Sequence, residues 1–213
     1  MMDTKIINDV PDSEIIFLLA HGAGAGMDTE FMNHIAKGVS QKGITTIRFE
    51  FPYMTKSREV GKKRAPDSEK KLKAHFINLI EETHHENPNA TIIIGGKSMG
   101  GRIASILTSE EAHSSISGCI CLGYPFHPPG KPDKLRTDHL QSIDTPCLII
   151  QGTRDPFGKK EEVETYTLDS KIQIKWIEDG EHSLKTKKSS VQTWEQALDN
   201  AVNAIDEFTY TLK

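Results

Sequence analysis

The sequence predicts an α/β fold, a mostly parallel sheet flanked by helices, and three observations carry that prediction. Apolar runs alternate with helix-period patterns from end to end of the 213-residue chain, as buried parallel strands and their covering helices do. The run Thr91–Gly95 leads through Gly96-Lys97-Ser98-Met99-Gly100 into a helical pattern at Arg102–Leu107, so strand, tight turn and helix follow one another directly. Two later runs end just before Asp155 and His182, which puts reactive residue types at the strand ends where α/β proteins form their sites.

In chain order, Ile15–Leu19 reads as a buried strand that ends at His21-Gly22. Phe31, Met32, Ile35, Ala36 and Val39 recur at helical spacing, with Asp28 or Thr29 as the cap. Thr45–Phe49 is a second strand, and a loop holding Pro52, Gly61 and Pro66 is expected after it. Asp67 or Ser68 caps the next helix, whose apolar face is Leu72, Phe76, Leu79 and Ile80. After the segment around Ser98 come strands at Ile116–Leu122 and Cys147–Gln151. Ile172, Ile174 and Trp176 alternate with Gln173 and Lys175, the pattern of a half-exposed edge strand. Trp194, Leu198, Ala201, Val202, Ile205 and Phe208 mark a long C-terminal helix. No repeat, low-complexity tract or linker interrupts the chain, so one domain over 1–213 is expected, with little room for a lid.

Composition narrows the function classes. Hydrophobic content of 36% with 26% charged residues is that of a soluble globular protein. A net charge of −4 argues against nucleic acid as a general partner. Cys119, Cys121 and Cys147 are an odd number of thiols in apolar runs, which favours a reducing compartment over a disulfide framework. Met1–Ile6 lacks a basic segment followed by an apolar one, and the longest apolar run, Ile15–Ala20, is too short to span a bilayer. A cytoplasmic protein without a membrane partner is expected. His84-His85 falls at a helix end without further ligands at suitable spacing, so neither a metal nor another cofactor is expected.

Gly96-Lys97-Ser98-Met99-Gly100 has the form of a nucleophile elbow, a strained turn that lifts a serine to the head of a helix. Unpaired N–H groups there favour a developing oxyanion. Gly96-Lys97-Ser98 is also the end of a phosphate-binding loop, but that motif needs glycine at position 91, where Thr91 stands, and a flexible segment where the isoleucines are. A serine hydroxyl needs an imidazole to take its proton and a carboxylate to orient the imidazole. Asp155 and His182 follow Ser98 in that order, each just past a strand. Asp179 is the competing acid; its closeness to His182 on the same loop reads as a turn cap.

His21-Gly22-Ala23-Gly24-Ala25-Gly26 follows the first strong strand, and with the elbow it suggests an oxyanion hole made by the backbone N–H groups of Ala23 and Met99. The rival here is a dinucleotide fingerprint with Glu50 as the ribose-binding acid, but Met27 occupies the place of its third glycine. His21 reads as a brace for the loop. Lys56, Arg58, Lys62, Lys63 and Arg64 crowd the predicted loop and read first as a solvated surface. Lys97 is a candidate for binding an anionic group of a substrate, and Phe126 for lining an acyl pocket, with a place in the core as the alternative.

The elbow, the His-Gly loop, Gly152-Thr153-Arg154-Asp155 and Gly180-Glu181-His182 together resemble the α/β-hydrolase superfamily over nearly the whole chain. More narrowly, Arg48–Met54, Gly95–Arg102 and Gly123–Gly130 are similar to a small dienelactone-hydrolase-like group that includes bacterial predicted hydrolases and testis-expressed-protein relatives. The resemblance implies a shortened α/β-hydrolase fold without a large cap domain, and Ser98, Asp155 and His182 as nucleophile, acid and base. Dienelactone hydrolases proper use cysteine as nucleophile, where this chain has Ser98. The expected activity is cleavage of a small-molecule ester, thioester or lactone. The alternatives are acyl transfer by the same residues, or an idle hydrolase fold that serves as a binding or scaffold protein, as some eukaryotic relatives act within chromatin complexes.

Overall fold

In the computed structural model, which describes residues 4–110 and 115–212, seven strands form one sheet: Lys5–Asn8 (β1), Ile15–Ala20 (β2), Thr45–Phe49 (β3), Thr91–Lys97 (β4), Ile116–Leu122 (β5), Cys147–Gly152 (β6) and Ile172–Ile177 (β7). Their order is β1-β3-β2-β4-β5-β6-β7. All neighbours are parallel except β1, which runs antiparallel to β3. Met1, Met2 and Asp3, part of the stretch read for a leader, lie outside the described residues.

Residues of β2 alternate between two cores. Ile16, Leu18 and Ala20 face one side and Ile15, Phe17 and Leu19 the other, so the whole strand is apolar because both faces are covered. The helices Glu30–Gln41 (α1) and Trp194–Tyr210 (α6) cover the second face. Pro52–Glu59 (α2), Glu69–Glu86 (α3), Met99–Glu110 (α4) and the short Lys160–Val163 (α5) supply the first. Thr29 caps α1 by accepting the Met32 N–H, and Thr193 and Gln196 form a reciprocal capping box at α6. Ser68 holds the N-cap position of α3. At the far edge β7 alternates half-buried and exposed residues, as its sequence predicts.

Two elements depart from the sequence reading. The loop expected after β3 begins with α2, a polar helix whose buried residues are only Tyr53 and Met54, so it shows no apolar stripe. Pro52 at its first turn both starts it and disguises it as loop punctuation. Strand β1 has no apolar run to mark it; it is four residues long and leaves Ile7 57% exposed. Between β5 and β6, residues 123–146 contain only one 3-10 turn, Asp138–Gln141, and no large extra domain is present among the described residues. No helix among them is long and apolar enough to cross a membrane.

The strand order reverses between β2 and β4, because the chain leaves β2 toward β3 on one side and then returns to build β4 to β7 on the other. A crevice opens at the carboxyl ends of strands at such a switch point. The Gly22–Gly26 loop follows β2 and Ser98 follows β4, so both fall at this crevice.

Candidate active site

Ser98 sits alone between β4 and α4 with φ at +51°, a left-handed conformation that strains a residue with a side chain. Its N–H donates to the Leu122 carbonyl at 2.9 Å, and its own carbonyl accepts the Arg102 N–H at 2.9 Å as the first turn of α4. The turn is possible only because its flanks lack side chains. A Cβ at Gly96 would stand 2.4 Å from the Ala20 carbonyl oxygen, and one at Gly100 2.7 Å from that of His21.

Three loops converge on the Ser98 hydroxyl. The His182 Nε2 lies 2.8 Å from Ser98 Oγ, and Nδ1 lies 2.8 Å from Asp155 Oδ2. A carboxylate only accepts, so Nδ1 donates to it and the Nε2 lone pair is left for the serine proton. Asp155 is fully buried, and its other oxygen accepts the Phe157 N–H at 2.9 Å. The Phe157 ring stacks on the imidazole, 4.0 Å between centroids and 25° between planes. To reach Ser98 from the end of β7, the His182 segment must cross the ends of β6 and β5. It passes so close to Gly123 that a Cβ there would meet the His182 carbonyl oxygen at 2.5 Å. Gly123 also has φ at +63°, so two independent demands fall on one glycine.

Asp179 is turned elsewhere. Its carboxylate accepts the Ser190 hydroxyl at 2.8 Å and lies 3.2 Å from Lys187 Nζ. That hydrogen bond and that ammonium hold its pKa below the usual carboxylate value.

The glycine-rich loop lies against the elbow. A Cβ built on Gly22 would come 3.7 Å from Ser98 Cβ. His21 is buried, and burial lowers its pKa, which keeps the ring neutral. Its Nε2 accepts the Phe51 N–H at 3.1 Å, so Nδ1 carries the proton it donates to the Gly22 carbonyl at 2.7 Å. In a trans peptide the N–H points opposite to the C=O. Turning the Gly22 carbonyl to His21 therefore turns the Ala23 N–H the other way. The Tyr53 hydroxyl donates to the Ala23 carbonyl at 3.1 Å and fixes the next peptide. The Met99 N–H belongs to the first turn of α4, where helix donors have no partner within the helix.

Ion pairs under the loop lock it further. Glu50 is buried and accepts the Met27 N–H at 3.2 Å and the Arg58 Nε–H at 3.0 Å. Arg58 also pairs with Asp28, and the neighbouring guanidinium of Arg48 donates to the Met27 carbonyl and to Asn33. Glu50 is thus committed to the fold, which removes the dinucleotide reading. Arg58, read as part of a solvated basic loop, is a half-buried strut from α2 to Glu50 and Asp28.

These loops border a cavity of about 740 Å³. Its floor holds Ala23, Ser98 and His182, and its walls include Phe31, Met32, Phe157 and Trp194. Lys97 lines it as well, with Nζ 3.4 Å from the His182 carbonyl and 5.2 Å from the Phe31 ring centroid. Burial pushes the Lys97 pKa down, opposed in part by Glu181 and Asp155. Phe126 is corrected: it is fully buried in the core on the other side of the sheet, against Tyr124 and Tyr166, and does not line this cavity. Phe157, two residues after Asp155, takes the aromatic place beside the histidine. Periodicity gave no sign of it, because loop residues have no facing pattern.

Cys119, Cys121 and Cys147 are the group of potential metal ligands among the described residues, their Sγ atoms all within 4.8 Å of one another. They are free thiols, fully buried on the core face of β5 and β6 away from the cavity.

A family model described as an alpha/beta hydrolase domain matches residues 13–210. Among solved structures, the chain is similar to a dienelactone hydrolase from Anabaena variabilis, with TM-score 0.76 and 17% identity over 97% of this chain and 90% of that one. An alpha-beta serine hydrolase homologue from Coxiella burnetii aligns with TM-score 0.74 and 16% identity over 96% and 90% of the two chains. An a/b serine hydrolase without lid from Xanthomonas campestris aligns with TM-score 0.68 and 19% identity over 94% and 88%.

Proposed function

The chain belongs to the alpha/beta hydrolase family, and on that premise we propose that it cleaves a small carboxylic ester, thioester or lactone through an acyl-Ser98 intermediate. The observation that carries the reading is the unbroken relay from Ser98 Oγ through His182 to Asp155, with 2.8 Å at both steps, at a serine held in a strained turn.

Each group then has one task. His182 Nε2 takes the hydroxyl proton as Ser98 Oγ attacks the substrate carbonyl carbon. The carbonyl oxygen becomes an oxyanion between the N–H groups of Ala23 and Met99, donors of a kind worth roughly 3–4 kcal/mol each in the transition state. Collapse of the tetrahedral species expels the alcohol or thiol, which receives the proton from His182. Water attacks the acyl-enzyme by the same route, with His182 again as base. Asp155 keeps the Nδ1–H tautomer and stabilises the imidazolium without taking a proton.

The β5–β6 connection carries no cap over the cavity, and none of its residues lines it, which favours small or protruding acyl groups. The Anabaena neighbour is a dienelactone hydrolase, so lactones belong on the substrate panel beside aryl esters and thioesters. Fluorophosphonate labelling of the purified protein tests the reading, with Ser98→Ala alongside. Labelling of the wild type that disappears in Ser98→Ala is the expected result. Folded wild-type protein that stays unlabelled and turns over none of the panel would refute it.

A further inference from the structure

The Asp155 carboxylate is gripped by more than the imidazole. Gln151, the next-to-last residue of β6, is fully buried, and its Nε2 donates to Asp155 Oδ2 at 2.9 Å, the same oxygen that accepts His182. A glutamine amide has two possible orientations, and here the backbone chooses one. The Tyr124 N–H, which can only donate, lies 2.7 Å from Gln151 Oε1. With the oxygen pinned there, the NH2 end must face Asp155, and its other acceptors are the carbonyls of Tyr124 at 3.2 Å and Gly158 at 3.3 Å. One amide thus ties together the loop after β5, the acid after β6 and the turn that follows the acid.

We infer that Gln151 is the positioning residue of the acid–base pair, an inference that rests on the proposed role of Asp155. A buried amide is unfavourable unless its polar atoms are satisfied. An apolar side chain would fill this strand position as its neighbours Leu148, Ile149 and Ile150 do. What the amide adds is a second anchor. With the Phe157 N–H on Oδ1 and the Gln151 amide on Oδ2, the carboxylate cannot rotate, and Oδ2 is already directed at Nδ1 before His182 arrives. The same donor stabilises the charged form of Asp155 where no water reaches it. Without it the carboxylate grips the imidazole proton more tightly, and His182 becomes a base only at higher pH. Sequence pattern offers no hint of this, since a glutamine inside an apolar strand reads as the strand's end.

Two variants test the assignment. Gln151→Met keeps the volume and removes both the donor and the acceptor. The kcat/KM for an aryl acetate at neutral pH should fall roughly 10- to 100-fold with little change in KM, and the acidic limb of the pH–rate profile should move up by about one pH unit, the effect of one hydrogen bond to a charged group. Gln151→Glu keeps the shape and the acceptor for Tyr124 but sets a second carboxyl against Asp155. The pair then shares one proton, and activity should acquire an alkaline limb as that proton leaves. The His182 imidazole titration, followed by NMR, reads the same shift without turnover, so a wild type inactive on every substrate overturns the proposed hydrolysis and leaves this test standing. A purely structural glutamine would lower the melting temperature of Gln151→Met and leave its acidic limb and the His182 titration where they are. That result, or rates within threefold of wild type, overturns the inference. Should Gln151→Met not fold, Gln151→Leu, read by the same acidic limb and the same titration, decides.

Discussion

Replacing Asp155 and Asp179 each by asparagine separates the two candidate acids, and the hydrogen bonds set the expected sizes. Three donors converge on the Asp155 carboxylate, from Gln151, Phe157 and His182. An asparagine has one acceptor oxygen and a donating NH2, so it cannot receive donors on both sides. If the NH2 faces Nδ1, the imidazole must shift its proton to Nε2 and can no longer accept from Ser98. If the NH2 turns the other way, it meets the Phe157 N–H and leaves a buried donor unpaired, which costs about 1–3 kcal/mol. Comparable loss of tautomer control lowers kcat about 10⁴-fold, equivalent to about 5.5 kcal/mol at the transition state. Asp179 is partly exposed and bound to Ser190 and Lys187, so Asp179→Asn should leave kcat/KM within about threefold, as surface ion pairs contribute little. The assay is steady-state hydrolysis of an aryl ester at pH 7–8, with fluorophosphonate labelling rate as a second measure and melting temperature as the control for folding. A folded Asp155→Asn variant with near wild-type kcat, or inactivation by Asp179→Asn instead, would refute the assignment.

Two further outcomes follow from the charges around the cavity. Arg58→Met strands the buried Glu50 carboxylate; because Arg58 is itself 33% exposed, the loss should be roughly 2–3 kcal/mol, below that of a fully buried pair. Thermal unfolding should show a fall of roughly 5–10 °C, largely restored when Glu50→Gln is added. Lys97 has a folded-state pKa below its ordinary 10.5, so the folded protein carries an unfavourable, half-buried charge at every pH below that folded value. Wild-type stability therefore gains as pH rises through the folded pKa, and the gain is complete above the ordinary one. Lys97→Met should melt higher than wild type near pH 7, by about 2–4 °C if the relief is about 1 kcal/mol, and the difference should shrink toward alkaline pH. Melting curves at several pH values check the trend, and a difference that widens with pH contradicts it.

The parts that the sequence made legible are those with a period or a fixed place in a turn. The strands β2, β4, β5 and β6 carry long apolar runs because both their faces are covered, and β7 alternates because it is an edge. Ser98, Asp155 and His182 stood out through their places just past strands, which the parallel sheet brings to one side. What stayed hidden depends on pairings that no local pattern encodes. Helix α2 is held by Tyr53 and by Arg58 on Glu50 instead of by an apolar stripe. Phe126 and Phe157 are both loop aromatics near prolines, yet one points into the core and the other onto His182. Gln151 reads as strand until Tyr124 is seen to fix its amide.

The division of labour among the strand ends has a consequence for specificity. The loops after β2 and β4 hold Ala23 and Ser98, and those after β6 and β7 hold Asp155 and His182. The loop after β5 lies between these pairs, but its side chains turn away from the cavity: Tyr124 and Phe126 are core, and Gly123 is bare so that His182 can pass. The segment where an inserted cap would stand serves here as a brace for the acid. Besides Phe157, the large apolar side chains of the cavity wall come from the opposite face of the sheet, Phe31 and Met32 on α1 and Trp194 at the head of α6. None of these three side chains hydrogen-bonds to Ser98, His182 or Asp155; Trp194 Nε1 donates instead to the Ser183 carbonyl at 3.0 Å. One wall of the cavity is thus set by helices on one face of the sheet, and the alignment of Asp155 and His182 by residues packed against the other. Changes at Phe31 or Met32 reshape the cavity while the relay of Ser98, His182 and Asp155 keeps its geometry.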